Sequence, residues 1–194
     1  MDAPFPICGT ARLAMSRLAA GTLLRRAKRL HAFGLGERAS ALYEEALAAS
    51  GEGSSTSPAM VRGYLLQWLE ANGDEASVLA VREALRFERP FDVEAATRDL
   101  AAMTDAMWRW RCRADIGEWL GASGRHEEAS ACFGEAIAEV VALWGPDHLE
   151  IARYEDELAT MLLFGGRAEE ADRHIANARR LVALAGFRYE HDEG

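Results

Sequence analysis

Apolar side chains recur every third or fourth residue along most of this 194-residue chain, and no stretch alternates apolar and polar residues as a half-buried strand would. Alanine is abundant, and the five prolines fall outside the periodic segments or at their ends. Both features predict an all-α fold. The predicted helices cover residues 11–33, 37–49, 59–71, 75–87, 92–120, 127–143, 148–164 and 168–184.

Glycine and polar residues mark most boundaries between these helices. The clearest linker runs from Gly51 to Pro58, where glycine, serine and threonine dominate and no residue is expected to be buried. Gly21 is a candidate break within the first helix. No turn residue interrupts residues 92–120, so this segment is one long helix or two helices that meet near Thr104. We favour a long or kinked helix.

The second half of the chain contains a self-match at a fixed offset of 42 residues. Repeats with a period of about 20 to 50 residues are typical of stacked supersecondary units, which bury their apolar faces against one another. The matched residues are Gly124, Arg125, Glu127, Glu128, Ala129, Phe133 and Ala136, followed by Gly166, Arg167, Glu169, Glu170, Ala171, Ile175 and Ala178.

The segment from Cys112 to Leu184 resembles tetratricopeptide repeats, specifically the 42-residue type found in kinesin light chains and many bacterial proteins. The resemblance rests on Ile116-Gly117, Leu120, Gly124, Ala129, Phe133 and Ala136, then on Leu158-Ala159, Leu162, Gly166, Ala171, Ile175 and Ala178, with Gly145-Pro146-Asp147-His148 and Ile151-Ala152 between the two hairpins. It implies a right-handed superhelix of antiparallel helix pairs, a TPR-like α-solenoid, in one domain of residues 1–194. Its repeats would cover residues 10–50, 59–88 (degenerate), 92–143 and 147–184.

In this family the first helix of each hairpin lines a concave groove that holds an extended peptide or a partner helix. The groove positions carried onto this chain are Lys28, His31, Arg62, Arg111, Glu118, Arg153, Asp156 and Thr160. Four are cationic, so the resemblance implies an acidic segment or a C-terminal carboxylate as ligand. The chain departs from the family at Asp156-Glu157 and Ala114-Asp115, which replace the asparagines that clamp a peptide backbone. The alternative is that these residues simply form solvated helix faces.

Tryptophan and arginine alternate in the run from Trp108 to Arg113. Such a composition suits a protein contact through Trp108 and Trp110, and less well a single-stranded nucleic acid. The alternative is that the tryptophans are core wedges. The arginines would then pair with nearby acids, namely Asp105, Asp115 or Glu118.

The net charge of −9 hides an asymmetry, because residues 1–30 carry six basic residues and only one acidic residue. An acidic body disfavours nucleic-acid binding. The basic N-terminal segment is favoured as a structural helix that caps the first hairpin; the alternatives are an amphipathic helix on a membrane surface and a targeting peptide. Residues 1–9 and 187–194 are expected to fray.

Signals for catalysis or metal binding are few. The three cysteines have no metal-ligand spacing, which favours a reducing, cytoplasmic compartment, and 21 arginines against one lysine are typical of a bacterial, high-GC coding bias. His126 lacks the second histidine of a zinc-protease motif, and Asp147 is expected to cap the helix after it. Cys132 and His174 occupy the same place in successive repeats, as packing alone would produce. We expect no cofactor and no enzyme activity.

The sequence is therefore interpreted as a non-catalytic module, or scaffold, that binds a protein or peptide partner. We expect it to bind neither nucleic acid nor a membrane. The alternatives are a regulatory sensor that binds a small molecule or signalling peptide, and a secretion-type chaperone. A sensor needs a closed, mostly apolar pocket, whereas a scaffold keeps an open groove. An apolar stripe on the last helix, formed by Ile175, Leu181, Val182 and Leu184, is expected to meet either the tail or a second copy in a homodimer.

Overall fold

The computed structural model describes residues 9–50, 56–73, 75–86 and 91–186. The frayed ends predicted at residues 1–9 and 187–194 lie outside this description, except for Gly9, which begins the first helix. The described residues form nine α-helices and no strand, which confirms the all-α class. The helices are α1 (Gly9–Ala32), α2 (Gly36–Ala49), α3 (Pro58–Asn72), α4 (Glu75–Arg86), α5 (Val93–Ala102), α6 (Ala106–Ala122), α7 (His126–Trp144), α8 (Leu149–Phe164) and α9 (Ala168–Leu184).

The chain divides into two compact units, residues 1–89 and 90–194. In unit 1, α1 packs against α2, α2 against α3 and α3 against α4, and α1 also touches α3. In unit 2, each helix from α5 to α9 packs against the next helix in the chain. Packing between sequence neighbours is typical of helical hairpins that follow one another along the chain.

One turn geometry recurs where helices end. Gly34, Gly124 and Gly166 have φ values of +76°, +77° and +74°, a conformation that glycine adopts without steric cost. In each turn the next residue donates its N–H to a carbonyl five residues back, as in a Schellman motif. These bonds join Leu35 N to Leu30 O (2.8 Å), Arg125 N to Leu120 O (2.9 Å) and Arg167 N to Leu162 O (2.8 Å). The echo in the sequence therefore corresponds to one repeated turn, which occurs in the first half as well.

The contacts between α6 and α7 show that these helices are antiparallel. Near the start of α6, the Arg109 Nε donates to Glu139 Oε1 at 2.9 Å, late in α7. Towards the end of α6, a methyl group on Gly117 would lie 3.2 Å from the ring of Phe133, earlier in α7. Gly117 thus permits close approach of the two backbones, as the family resemblance implies.

The next pair, α7 and α8, is antiparallel too. The His126 ring at the start of α7 stacks on Phe164 at the end of α8, with ring centroids 4.8 Å apart. At the opposite end, Trp144 stacks on His148 at 4.7 Å. Because α6 and α8 are both antiparallel to α7, they run in the same direction.

Two local predictions are wrong, and a third that was left open has an answer. Residues 92–120 form two helices that meet near Thr104, which is the alternative to the favoured long or kinked helix. The Met103 N–H bonds to the Leu100 carbonyl where α5 ends, and the Asp105 carbonyl accepts the N–H groups of Trp108 and Arg109 where α6 begins. Gly21 does not break α1, which is continuous. The predicted linker contains a buried residue, because Thr56 is only 6% exposed. A side chain at Gly21 would lie 3.2 Å from the Thr56 hydroxyl.

The capping residue of α8 also differs from the prediction. His148 is the N-cap, and its Nδ1 accepts the Glu150 N–H at 3.3 Å. Asp147, the predicted cap, instead accepts a bond from Arg180 Nη1 of α9 at 2.7 Å. The aspartate therefore connects the loop before α8 to the last helix.

The apolar stripe predicted on α9 is not a continuous exposed surface. Leu181 is fully buried, and Ile175 and Val182 are partly covered. Only Leu184 of the four is strongly exposed, at 62%. Most of the stripe is therefore covered within unit 2, and only Leu184 is left as a strongly exposed contact for a second copy.

The close approach at Gly117 generates the first prediction. Replacing Gly117 with Val should lower the free energy of unfolding by about 1–3 kcal/mol, because Cys132 and Phe133 must move. Gly134 is the matched control: it also lies inside a helix of unit 2, but nothing lies within 4 Å of its missing side chain. Gly134→Val should leave stability unchanged or raise it slightly. Urea unfolding followed by circular dichroism measures both, and equal effects would contradict the packing described here.

Candidate functional site

The eight predicted groove residues are divided between the two units. Lys28, His31 and Arg62 belong to unit 1. Unit 2 holds the other five, which are Arg111, Glu118, Arg153, Asp156 and Thr160.

Of the three unit 1 residues, only Lys28 is buried. Lys28 is 1% exposed, with its Nζ 5.0 Å from the centre of the Tyr64 ring, so its assignment to a groove is corrected. The His31 Nδ1 is hydrogen-bonded to the Tyr43 hydroxyl at 3.2 Å. Burial raises the pKa of Tyr43, and the nearby charge of Lys28 opposes this effect. Arg62, on α3, remains partly exposed.

In unit 2, Trp110 places α6 beside α8. Its side chain is 1% exposed and packs edge-on against Trp144 at 5.8 Å and Tyr154 of α8 at 5.6 Å. Trp110 is therefore a core wedge and not a surface contact, which corrects one of the two predicted contacts. Trp108 is 57% exposed and remains a candidate contact.

Two arginines lie on the solvent side of this pair of helices. The guanidinium of Arg111 lies 5.5 Å from the ring centre of Trp108 and 4.9 Å from that of Trp110. The guanidinium of Arg153, on α8, lies 5.6 Å from that of Tyr154. Aromatic faces attract and orient guanidinium groups, so both charges are held in place at the surface.

A carboxylate lies near both arginines. Loss of hydration raises the pKa of Asp115, while the charges of Arg153 and Arg111 lower it to a smaller extent. Loss of hydration lowers the pKa of Arg153, but the negative charges of Tyr154, Glu118 and other acidic groups outweigh this effect. The pKa of Arg153 is raised as a result. Glu118 of α6 thus acts electrostatically on an arginine of α8. We call the surface of these two helices the α6–α8 face; it is formed by Trp108, Arg111, Asp115, Glu118, Leu149, Arg153 and Asp156.

Thr160 does not belong to this face. It is 4% exposed, and its hydroxyl donates to the Asp156 carbonyl at 2.9 Å within α8. Its assignment to the groove is therefore corrected. Glu118 and Asp156 are partly exposed.

The remaining arginines of the Trp-Arg run face α7. Arg109 bonds to Glu139, and Arg113 bonds to both Glu135 and Glu139. The predicted pairing with Asp105, Asp115 or Glu118 is wrong for these two residues, because they lie four positions apart on the side of α6 that contacts α7. They hold two helices together and leave Arg111 as the surface arginine of the run.

Sequence reasoning missed a buried carboxylate between α8 and α9. Glu155 is 6% exposed and is hydrogen-bonded to His174 Nδ1 at 2.5 Å and to Asn177 Nδ2 at 2.7 Å. In the sequence it stands in a run of three acidic residues, Glu155 to Glu157, and nothing there separates buried from exposed members. One signal was present: Glu155 lies four residues after the apolar Ile151, and residues four apart share one face of a helix.

His126 and Cys132, the candidates for chemistry in unit 2, are partly buried among packed helices. Burial lowers the pKa of His126 and raises that of the Cys132 thiol. Within the described part of the chain, no three His, Cys, Asp or Glu residues are grouped so that they could hold a metal ion. Among the same residues, no helix combines the length and the apolar character needed to cross a membrane.

Unit 2 also contains a depression of about 600 Å³ between α5, α6 and α7, which is open to solvent. Its lining is mainly apolar, with charged residues at four positions. The lining residues are Val93, Glu94, Thr97, Arg98, Ile116, Leu120, Arg125, Glu128, Ala131 and Cys132. None of these lining residues belongs to the α6–α8 face.

A comparison of the sequence with models of known protein families finds no match, and no curated protein shows significant similarity to it.

The burial of Lys28 generates the second prediction. Lys28→Arg should lower the free energy of unfolding by about 1–3 kcal/mol, because the larger planar guanidinium must fit a site closed by tyrosines. Arg26→Lys makes the reverse exchange at an exposed position two residues earlier and should change stability by less than about 0.5 kcal/mol. Urea unfolding compares the two variants. A Lys28→Arg protein as stable as the Arg26→Lys control would show that the site is not closely packed.

The third prediction concerns the pH dependence of stability. Because the folded pKa of Asp115 lies above its ordinary value of 3.8, the folded state binds this proton more tightly than the unfolded state. Its contribution to stability is therefore present below pH 3.8 and is lost as the pH rises through the folded pKa. Asp115→Asn cannot ionise, so it should raise the midpoint of thermal unfolding at pH 7.

The side chain of Asp115 keeps contact with solvent, so the increase should be small. At a pH below 3 the two proteins should melt together. A variant that melts at a lower temperature than wild type at pH 7 would contradict this assignment.

Proposed function

We propose that this protein is a non-catalytic interaction module, a tetratricopeptide-like helical repeat that holds an acidic segment of a partner protein on the α6–α8 face. The right-handed superhelix and the concave groove are part of this proposal. Three features support it: the repeated glycine turns, the antiparallel order of α6, α7 and α8, and the family resemblance of residues 112–184.

The observation that carries the proposal is the placement of Arg111 and Arg153. They come from two neighbouring helices that run in the same direction, and each guanidinium lies against an aromatic ring. Both also influence the same carboxylate, Asp115. Two oriented guanidinium groups can bind carboxylates through charge-assisted hydrogen bonds, and little side-chain freedom is left to lose on binding.

A bacterial, cytoplasmic scaffold remains the setting that we predict for this module, and a secretion-type chaperone would use the same face for a different client. A homodimer through α9 is a weaker proposal, because only Leu184 of the predicted stripe is strongly exposed.

The second candidate function is that of a sensor, whose binding site would be the apolar depression between α5, α6 and α7, although this depression is open to solvent and not closed. A volume of about 600 Å³ is within the range of small-molecule sites. A fragment screen by nuclear magnetic resonance separates the two functions. Hits that perturb signals of Leu120 and Cys132 would favour a sensor, whereas peptides that perturb Arg111 and Arg153 would favour an interaction module.

The fourth prediction tests the face. A fluorescent peptide of nine residues, rich in glutamate, should bind the protein, and its glutamine analogue should bind much more weakly. Arg153→Glu should reduce the affinity for the glutamate peptide by about tenfold or more, because an attraction becomes a repulsion in a partly desolvated site. Fluorescence anisotropy at low salt measures the affinity, which should fall as salt is added.

Arg179→Glu is the matched control. Arg179 is exposed on α9, and its replacement changes the net charge by the same amount. This variant should bind the peptide as wild type does. Equal losses in the two variants would mean that overall charge, and not the α6–α8 face, determines binding.

A further inference from the structure

The chemistry of the α6–α8 face changes in a fixed order along its length. On α6 the face begins with Trp108, continues with Arg111 and ends with Asp115 and Glu118. These residues are separated by three, four and three positions, so they lie on one side of the helix. An apolar side chain is thus followed by a cation and then by two acids.

The same order occurs on α8. Leu149 is 40% exposed at the first position of the helix, Arg153 follows one turn later, and Asp156 follows Arg153. The spacing of four and three residues again places them on one side. Two neighbouring helices therefore carry the same sequence of chemistries.

The two series are in register because α6 and α8 run in the same direction. Trp110 of α6 contacts Tyr154 of α8, which places Arg111 and Arg153 at similar heights. Asp115 lies within electrostatic reach of both arginines, and Glu118 acts on Arg153. The face is thus divided into an apolar zone, a cationic zone and an acidic zone.

These zones set the length of the segment that the face accommodates. Trp108 and Glu118 are ten residues apart, which is about 15 Å along a helix. An extended peptide rises about 3.3 Å per residue, so about five of its residues match the face.

We propose that the partner segment carries, in order along the face, an apolar side chain, then carboxylates, then a basic side chain. This inference rests on the proposed function and goes further, because it specifies the order of the partner's residues. The apolar side chain contacts Trp108 and Leu149, both of which are exposed. The carboxylates meet Arg111 and Arg153, and the basic side chain meets the acidic zone.

Charge complementarity selects this occupant over two others. A uniformly acidic segment can bind the two arginines, but it binds less tightly because its last carboxylates lie beside Asp115, Glu118 and Asp156, where like charges repel. A nucleic-acid strand has the same defect, since its phosphates continue past the arginines. A segment that places a basic residue beside the acidic zone gains an attraction there instead.

The fifth prediction compares two peptides of identical composition. In the matched peptide, two glutamates lie between a phenylalanine and two lysines; in the exchanged peptide, the two lysines lie between the phenylalanine and the two glutamates. The acidic pair is central in the matched peptide whichever way the chain runs, so the test does not depend on the direction of binding. We expect the matched peptide to bind about tenfold more tightly, by fluorescence anisotropy at low salt.

A charge-exchanged protein provides the decisive control. The variant Arg111→Glu, Arg153→Glu, Asp115→Lys, Glu118→Lys should prefer the exchanged peptide over the matched one. Circular dichroism establishes that it is helical. If this variant does not fold, the milder variant Asp115→Asn, Glu118→Gln replaces it in the test. We expect the milder variant to bind the matched peptide more weakly and so to lose most of its preference for the matched over the exchanged peptide.

The outcomes separate this inference from the proposed function. If wild type binds both peptides equally and Arg153→Glu weakens both, the face binds acidic segments but does not read their order, and this inference is wrong. If neither these peptides nor the glutamate-rich peptide binds, both proposals are wrong. A preference for the matched peptide that persists unchanged in the charge-exchanged protein would also overturn the inference.

Discussion

The candidate site depends on the packing of Trp110. This side chain is enclosed between Trp144 and Tyr154, and it fixes the distance and the register between α6 and α8. Arg111 is the next residue along α6, so the position of its guanidinium follows from that of the buried ring. A core contact thereby determines where two surface charges lie. Of the two tryptophans in the run from Trp108 to Arg113, only Trp110 is buried. The arginine that follows it lies on the exposed side of α6, whereas Arg109 and Arg113 face α7.

Much of the fold could be predicted from the sequence because glycine spacing and apolar period report on local geometry. The turns at Gly124 and Gly166, and the bounds of α9, match the prediction. The break between α5 and α6 was harder to predict, since it contains no glycine or proline and depends on backbone hydrogen bonds of Met103 and Asp105. Caps and linkers depend on contacts with other helices, as the Gly21–Thr56 approach shows.

The site was less predictable than the fold, because helical spacing gives a side of the helix but not the neighbour that covers it. Lys28 and Thr160 have the spacing of groove residues, yet both are buried. Lys28 did carry a signal: it is the only lysine among 22 basic residues, and a compact ammonium fits a closed site better than a guanidinium does. Arg109 and Arg113 carried none, since their partners on α7 lie more than twenty residues away.

The electrostatics of the α6–α8 face favour recognition over stability. An ionised Asp115 is held where loss of hydration raises its pKa, so the folded chain is less stable at neutral pH than it would be with a neutral residue there. Such a cost is expected where a charge serves binding, because a ligand that supplies the missing counter-charge recovers it. The arginines do not remove the cost, since each is also engaged with an aromatic ring. A basic group on the partner would complete the charge balance of this carboxylate, which is why the order of charges in the partner matters as well as their number.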